Sequence, residues 1–195
     1  MQNQHTFYQI IKWVLFVCIA IATGCAGGNN SPQQRVSADN SEEKAPQVDI
    51  HTAVATGDEA TLRQHLAAGT DINAEDPFGG SSPLITAAVF GQPGIAKLLI
   101  DAGADLNFQN NDGSTALISA AFFGRAEIVQ LLLDAGADKT VKNKYGATAY
   151  ESVIVPFSEV KSTYDMMGKV LAPMGLKLDY AYLEKVRPEI ANLLR

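Results

Sequence analysis

The chain has 195 residues, with 15 Lys plus Arg against 21 Asp plus Glu, a formal charge of -6, and 47% hydrophobic residues. That length suits one compact domain with an appendage, or one short repeat array. The acidic balance, without any block of Lys or Arg, leaves no electrostatic footprint for a phosphate backbone, so no nucleic-acid partner is expected. Both cysteines, Cys18 and Cys25, fall near the start, which excludes a disulfide scaffold or a Cys-bearing zinc site from the remainder.

In chain order, the first feature is an uncharged run, Trp13 to Ala22, preceded by Lys12. It falls short of the roughly 20 apolar residues of a spanning helix and has the length of a secretory signal. The sequence that follows, Ala22-Thr23-Gly24-Cys25, resembles the lipobox of bacterial lipoproteins, with Ala22 where Leu is usual. That resemblance implies cleavage after Gly24, lipidation of Cys25 and stable anchoring by the acyl chains. Ala26 and Gly27 stand where an Asp would mark inner-membrane retention, so the implied location is the bacterial envelope, at the outer membrane facing the periplasm. An ordinary secretory signal with an incidental Cys25 is the alternative. From Ala26 to Gln47 there is one Val and no aromatic, Leu or Ile, too little apolar surface to offset the entropy of ordering. This stretch reads as a tether reaching about 25 Å.

An internal repeat organises the rest. Glycines recur as Gly57, Gly91, Gly124, as Gly69, Gly103, Gly136, and as Gly80, Gly113, Gly146, at spacings of 33 or 34. Superposed, two units read ITAAVFGQPGIAKLLIDAGADLNFQN and ISAAFFGRAEIVQLLLDAGADKTVKN, with a weaker first copy, HTAVATGDEATLRQHLAAGTDINAED. Ser82, Thr115 and Thr148 are placed as helix N-caps, and Pro83 sits at a first helical position, where its missing N–H costs nothing. Leu84, Ala87 and Ala88, then Ile95, Leu98 and Leu99, give each of two antiparallel helices one apolar face. The period, with Ser82-Pro83-Leu84-Ile85-Thr86-Ala87 and Thr115-Ala116-Leu117-Ile118-Ser119-Ala120, resembles the ankyrin repeat. The resemblance implies an all-α solenoid of stacked helix-turn-helix units joined by short hairpin loops. The family's usual His is Ile85 and Ile118 in the central units, so apolar packing is expected there in place of its hydrogen bonds.

The expected organisation is a signal at 1–24, a lipidated Cys and tether at 25–47, and an array at 48–195 of four units, about 48–75, 76–109, 110–142 and 143–195. The fourth departs from the pattern. The counterpart of Ala126-Glu127-Ile128-Val129-Gln130-Leu131-Leu132 comes at Pro188-Glu189-Ile190-Ala191-Asn192-Leu193-Leu194, one insertion of 29 residues late, at about 157–186. Ser158 can cap a helix carrying Val160, Tyr164, Met167, Val170 and Leu171 and ending before Pro173, and Tyr180, Leu183 and Val186 repeat the spacing. The insert reads as a helix and a turn capping the C-terminal end of the array.

The sequence holds little catalytic chemistry. His51 and His65 lack partners at ligand spacing, and Asp101, Asp105, Asp134 and Asp138 recur with the repeat, as structural residues do. No nucleophile elbow, phosphate loop or zinc-protease motif occurs. Asp179, Tyr180, Tyr182 and Glu184 remain the candidates for acid/base work, without a nucleophile nearby. No enzyme activity, metal, cofactor or small-molecule substrate is expected.

Ankyrin-like arrays bind through hairpin tips and through the two residues before the glycine that ends each inner helix. Here those pairs are Ala55-Thr56, Val89-Phe90, Phe122-Phe123 and Val155-Pro156, and the tips carry Pro77-Phe78, Asn111-Asp112 and Lys144-Tyr145. Phe78, Val89, Phe90, Asn111, Asp112, Phe122, Phe123, Lys144 and Tyr145 are the expected protein-binding residues, with the aromatics as an exposed stripe. The alternative is that the phenylalanines pack on each other or under the insert. The reading is a protein-binding module on a lipid anchor, touching the membrane through that anchor alone, with a protein partner the sequence does not name. A structural or protective envelope factor, or an enzyme centred on the insert, are the other readings.

Overall fold

The computed structural model describes residues 46–195. The signal, Cys25 and most of the tether lie outside the described residues. Nine α-helices occur among the described residues: α1 Ile50–Thr56, α2 Glu59–Ala67, α3 Pro83–Phe90, α4 Pro93–Asp101, α5 Ala116–Phe122, α6 Ala126–Asp134, α7 Ala149–Ile154, α8 Phe157–Leu171 and α9 Tyr180–Leu194. None is long and apolar enough to cross a membrane.

The inner helices α1, α3, α5 and α7 have six to eight residues. Isolated helices so short do not persist in water, so their order comes from stacking. Each inner helix packs on the next, and α2, α4, α6 and α9 form a parallel outer row. Leu84, Ala87, Ala88, Leu117, Ala120 and Ala121 are almost fully buried between the rows, alongside Ile95, Leu99, Ile128 and Leu132. Ile85 and Ile118 are buried as well, in the apolar seam expected of them. In the first unit the equivalent residue, His51, instead bridges the Thr86 hydroxyl and the Ala74 carbonyl at 3.1 and 3.0 Å. His65 is buried too, and its Nε2 donates to the Val48 carbonyl at 2.8 Å, fixing the chain where it joins the first unit.

The caps follow the repeat. Ser82 accepts from the Ile85 N–H, Thr115 from Ile118 and Thr148 from Glu151. Glu151 returns the bond by accepting from the Thr148 N–H at 2.7 Å, which closes a capping box.

The fourth unit is where the expected insert is redrawn. Its helix α8 begins after Pro156, so Ser158 lies in the first turn and does not cap it. A short 3-10 turn, Ala172–Met174, follows, and Asp179 then caps α9 by accepting from the Tyr182 N–H. The second segment of the insert and the expected outer helix are one continuous helix, with Pro188 inside it. Pro188 keeps the repeat position that Pro93 holds at the start of α4, but here preceding turns have been added to the helix.

The insert's position differs as well. Its buried side chains meet the C-terminal end of α5 and do not cover the last flank of the array. There Tyr150, Leu194, Thr148 and the Lys139–Lys142 segment border an open cleft of about 480 Å³.

At the hairpins one acidic or amide residue per unit holds the turn. Asn110 Oδ1 accepts from the N–H groups of Asp112 and Ser114, and Asn143 Oδ1 from Tyr145 and Ala147. The first hairpin is one residue longer and carries Asp76, whose two oxygens divide three amides, Phe78 and Gly79 on one and Ser81 on the other. Burial alone would raise the Asp76 carboxyl. The N–H donors of Gly79, Phe78 and Ser81 outweigh it and hold its pKa below the ordinary value. Because the folded pKa is depressed, this stabilisation is fully present above the ordinary carboxyl pKa and is lost as pH falls through the folded value. Asp76→Asn leaves the Ser81 amide facing an NH2 group and should cost about 1–2 kcal/mol at pH 7 in urea unfolding. The gap to wild type should close on acidification, and a gap unchanged at pH 3 would contradict the assignment.

Candidate protein-interaction surface

The surface is built on the C-terminal ends of the inner helices. Each such end leaves backbone carbonyls without helical partners. In every unit the carbonyl two residues before the position of the turn glycine is taken by a side chain from further along the chain. Gln92 Nε2 donates to Ala55 O at 3.1 Å, and Arg125 Nη2 donates to Val89 O at 3.1 Å. Those side chains lie flat on the glycines of the preceding unit: a Cβ on Gly57 would come within 2.8 Å of Gln92 Oε1, and one on Gly91 within 2.8 Å of the Arg125 guanidinium. Both glycines have positive φ, 76° and 71°, so the bare, left-handed turn and the close approach are one requirement.

The third position is served by the insert. Phe122 O accepts from the Tyr164 hydroxyl, and Leu183 and Val186 of α9 lie over Gly124 where a side chain of the next unit would lie. Tyr164 is completely buried, stacked on Phe122 with ring centroids 4.7 Å apart, and Phe157 stacks on its other side at 5.7 Å. Burial pushes the Tyr164 phenol above its ordinary value despite the neighbouring Arg187, so the hydroxyl keeps its proton to donate.

Arg187, 2% exposed, completes the series. Its Nη2 donates to Val155 O at 2.7 Å and Ser152 O at 3.2 Å, and its Nη1 donates to the Tyr164 hydroxyl at 2.8 Å. No carboxylate among the described residues pairs with it. The guanidinium is buried against carbonyl dipoles and a phenol, and it joins α7, α8 and α9.

This arrangement sorts the expected binding residues. Phe78 stands 76% exposed at the first hairpin tip, and Val89 and Phe90 are half-buried at the end of α3. Phe122 is part-covered by Tyr164, and Phe123, expected in the exposed stripe, is 4% exposed and meets Phe122 edge-on at 5.2 Å. Phe123 is therefore core: the helix ends at Phe122, and the next residue turns inward as its cap.

The other tips are largely occupied in joining hairpins. Asn111 N–H donates to Gly79 O, and Lys144 N–H to Asp112 O, both at 2.9 Å. The Tyr145 hydroxyl donates to Asp112 at 3.4 Å, and burial, with Asp112 beside it, raises that phenol's pKa. The Asn111 and Lys144 side chains remain exposed. The exposed aromatic and apolar positions are thus confined to the second unit, at Phe78, Val89 and Phe90.

The candidate acid/base residues do not converge. Asp179 is a helix cap, Glu184 is exposed, and Tyr180 neighbours the Lys161–Asp165 surface pair. Hydrogen bonding to Asp165 raises the Tyr180 phenol. Among the described residues no three His, Cys, Asp or Glu side chains are grouped to hold a metal ion.

Arg125 is the residue of this surface that the repeat spacing did not single out. The signal was present in the polar residue directly after each turn glycine, Gln92 and Arg125.

The family model described as ankyrin repeats, in three copies, matches residues 50–143. Residues 50–143 belong to the ankyrin-repeat family. Among solved structures, the ankyrin repeat domain of Bcl-3, described as a unique member of the IkappaB protein family, is 37% identical with a TM-score of 0.51. That match covers 53% of this chain and 45% of the other, so the chain spans less than half the length of that structure. No curated protein matches the sequence. Ankyrin repeats are protein–protein interaction modules, and their fold is a binding scaffold. The ankyrin match ends before α7, α8 and α9, where the departures from the repeat accumulate.

Tyr164→Phe should leave the Phe122 carbonyl and Arg187 Nη1 unpaired in the interior, lowering unfolding free energy by about 1–3 kcal/mol. Urea unfolding checks this, and a change below about 0.5 kcal/mol would mean the hydroxyl is not shared as described.

Proposed function

We propose that this ankyrin array binds another protein through the groove formed by Phe78, Val89 and Phe90, and that it does so while displayed in the bacterial envelope from a lipid on Cys25. One observation carries the binding reading. The aromatic positions of the third unit are withdrawn, Phe123 into the core and Phe122 beneath Tyr164, whereas in the second unit Phe78 stays 76% exposed and Val89 and Phe90 half-buried. An exposed phenylalanine at a hairpin tip has no packing role in the array, and aromatic anchors of this kind dominate interface energetics. The lipobox-like Ala22-Thr23-Gly24-Cys25 and the apolar-poor stretch after it support the anchored display.

Crosslinking in the envelope, comparing wild type with Phe78→Asp/Phe90→Asp, tests the binding reading. The double variant should keep its helical circular dichroism and melting temperature within a few degrees and lose the crosslinked adduct. An adduct that persists in the folded variant would refute it. Cys25→Ser should move the protein out of the membrane fraction, and retention there would refute the anchor.

A further inference from the structure

Arg125 does more than its structural position requires. The position needs one N–H donor, for the carbonyl at the end of the preceding inner helix. In the second unit a neutral side chain supplies it, with Gln92 donating to Ala55 O. In the third unit Arg125 makes the same single bond, to Val89 O, and brings a full charge and further N–H groups that the array does not use. Its Nε is buried with no hydrogen-bond partner, and its Nη1 makes no hydrogen bond among the described residues. No carboxylate among the described residues pairs with it. The ion pairs there are Arg63–Glu59, Lys97–Asp101 and Lys161–Asp165.

Leaving a partly buried guanidinium uncompensated costs free energy, and burial lowers its pKa, with the neighbouring Tyr182 phenol opposing. A neutral Gln would avoid that cost. The guanidinium lies on Gly91, directly after Val89 and Phe90 in the chain, and the Tyr182 phenol, 47% exposed on α9, is near enough to act on its charge. A charge that no carboxylate of the described residues neutralises, lying on the glycine that follows Val89 and Phe90 and near the Tyr182 phenol, suits an anionic group arriving from outside.

We infer that Arg125 is the receptor for a carboxylate side chain of the protein partner, an Asp or Glu that docks between Phe90 and Tyr182 next to an apolar residue seated on Val89 and Phe90. This rests on the binding groove proposed above and names the chemistry it selects. The fork of the guanidinium gives the carboxylate direction, and desolvation by the flanking aromatics strengthens the pair relative to one in open water.

The test is selection of a displayed random dodecapeptide library on the full chain in detergent. Enriched peptides should carry Asp or Glu beside an aromatic or aliphatic residue. Their affinity should fall about tenfold or more with Arg125→Gln and should survive Lys177→Gln, an exposed charge elsewhere. Arg125→Gln should leave the melting temperature unchanged or raised, since Gln92 shows that glutamine makes the structural bond. Peptides that lack acidic residues, or that bind Arg125→Gln undiminished, overturn the carboxylate receptor while leaving the groove in place. Peptides indifferent to Phe78→Asp/Phe90→Asp, or no enrichment at all, overturn the groove and this inference with it. A melting temperature lowered by more than about 5 °C in Arg125→Gln would show the charge to be structural, and an Arg125-dependent dimer in sedimentation would make a second copy the occupant. Either result overturns the proposal.

Discussion

The constraint on which the array depends is the unpaired carbonyl at the end of each inner helix. Helices of six to eight residues are nearly all ends, so half or more of their backbone groups must find partners outside the helix. The array solves this sideways: Gln92, Arg125, Tyr164 and Arg187 each reach back to cap the helix before them. Glycine at 57, 91 and 124 keeps the turn free of a Cβ, so that the next layer can lie against it. Stacking and capping are therefore one interaction, and a unit without a successor would be left with an open carbonyl.

The insertion in the fourth unit is an answer to that condition. After the third unit no short outer helix follows directly. The chain instead sends α8 over the end of α5, where Tyr164 takes the carbonyl that the next unit's polar residue would take. The two leading turns of α9 then cover Gly124 with Leu183 and Val186, and Arg187 closes Ser152 and Val155. Four side chains, only two of them at equivalent repeat positions, thus do the same work along the array, and the last two are buried.

Much of the fold was legible because a repeat states each instruction more than once. The glycine triplets, the Ser82, Thr115 and Thr148 caps and the paired apolar faces each recur in register, and the structure places them as periodicity requires. Legibility fell where residues occur once. Phe123 shares its repeat position with Phe90, yet it is buried, edge-on to Phe122 and next to the Gly124 that Leu183 and Val186 cover. Tyr164 and Arg187 lie in a segment without an internal copy, so spacing could place them on a helix but not reveal what they touch. Arg125 was hidden in the opposite way, because its neighbour Gln92 makes the position look merely structural.

The Arg187 cluster also bears on how the extra length of the fourth unit is accommodated. The first three units close through contacts between segments about one period apart. The fourth brings α7 to α9 across the whole length of α8 and the 3-10 turn, and the buried guanidinium has its acceptors only when all three helices are in place. The separations closed by its bonds to Val155 and Ser152, 32 and 35 residues, are no longer than the 37 and 36 of the Gln92 and Arg125 bonds, so the entropy of closure is nearly the same for every layer. The insertion therefore lengthens the fourth unit without lengthening the span that its capping contact closes. The inserted α8 also part-covers Phe122 through Tyr164, so the length of the insertion sets the extent of the exposed aromatic face.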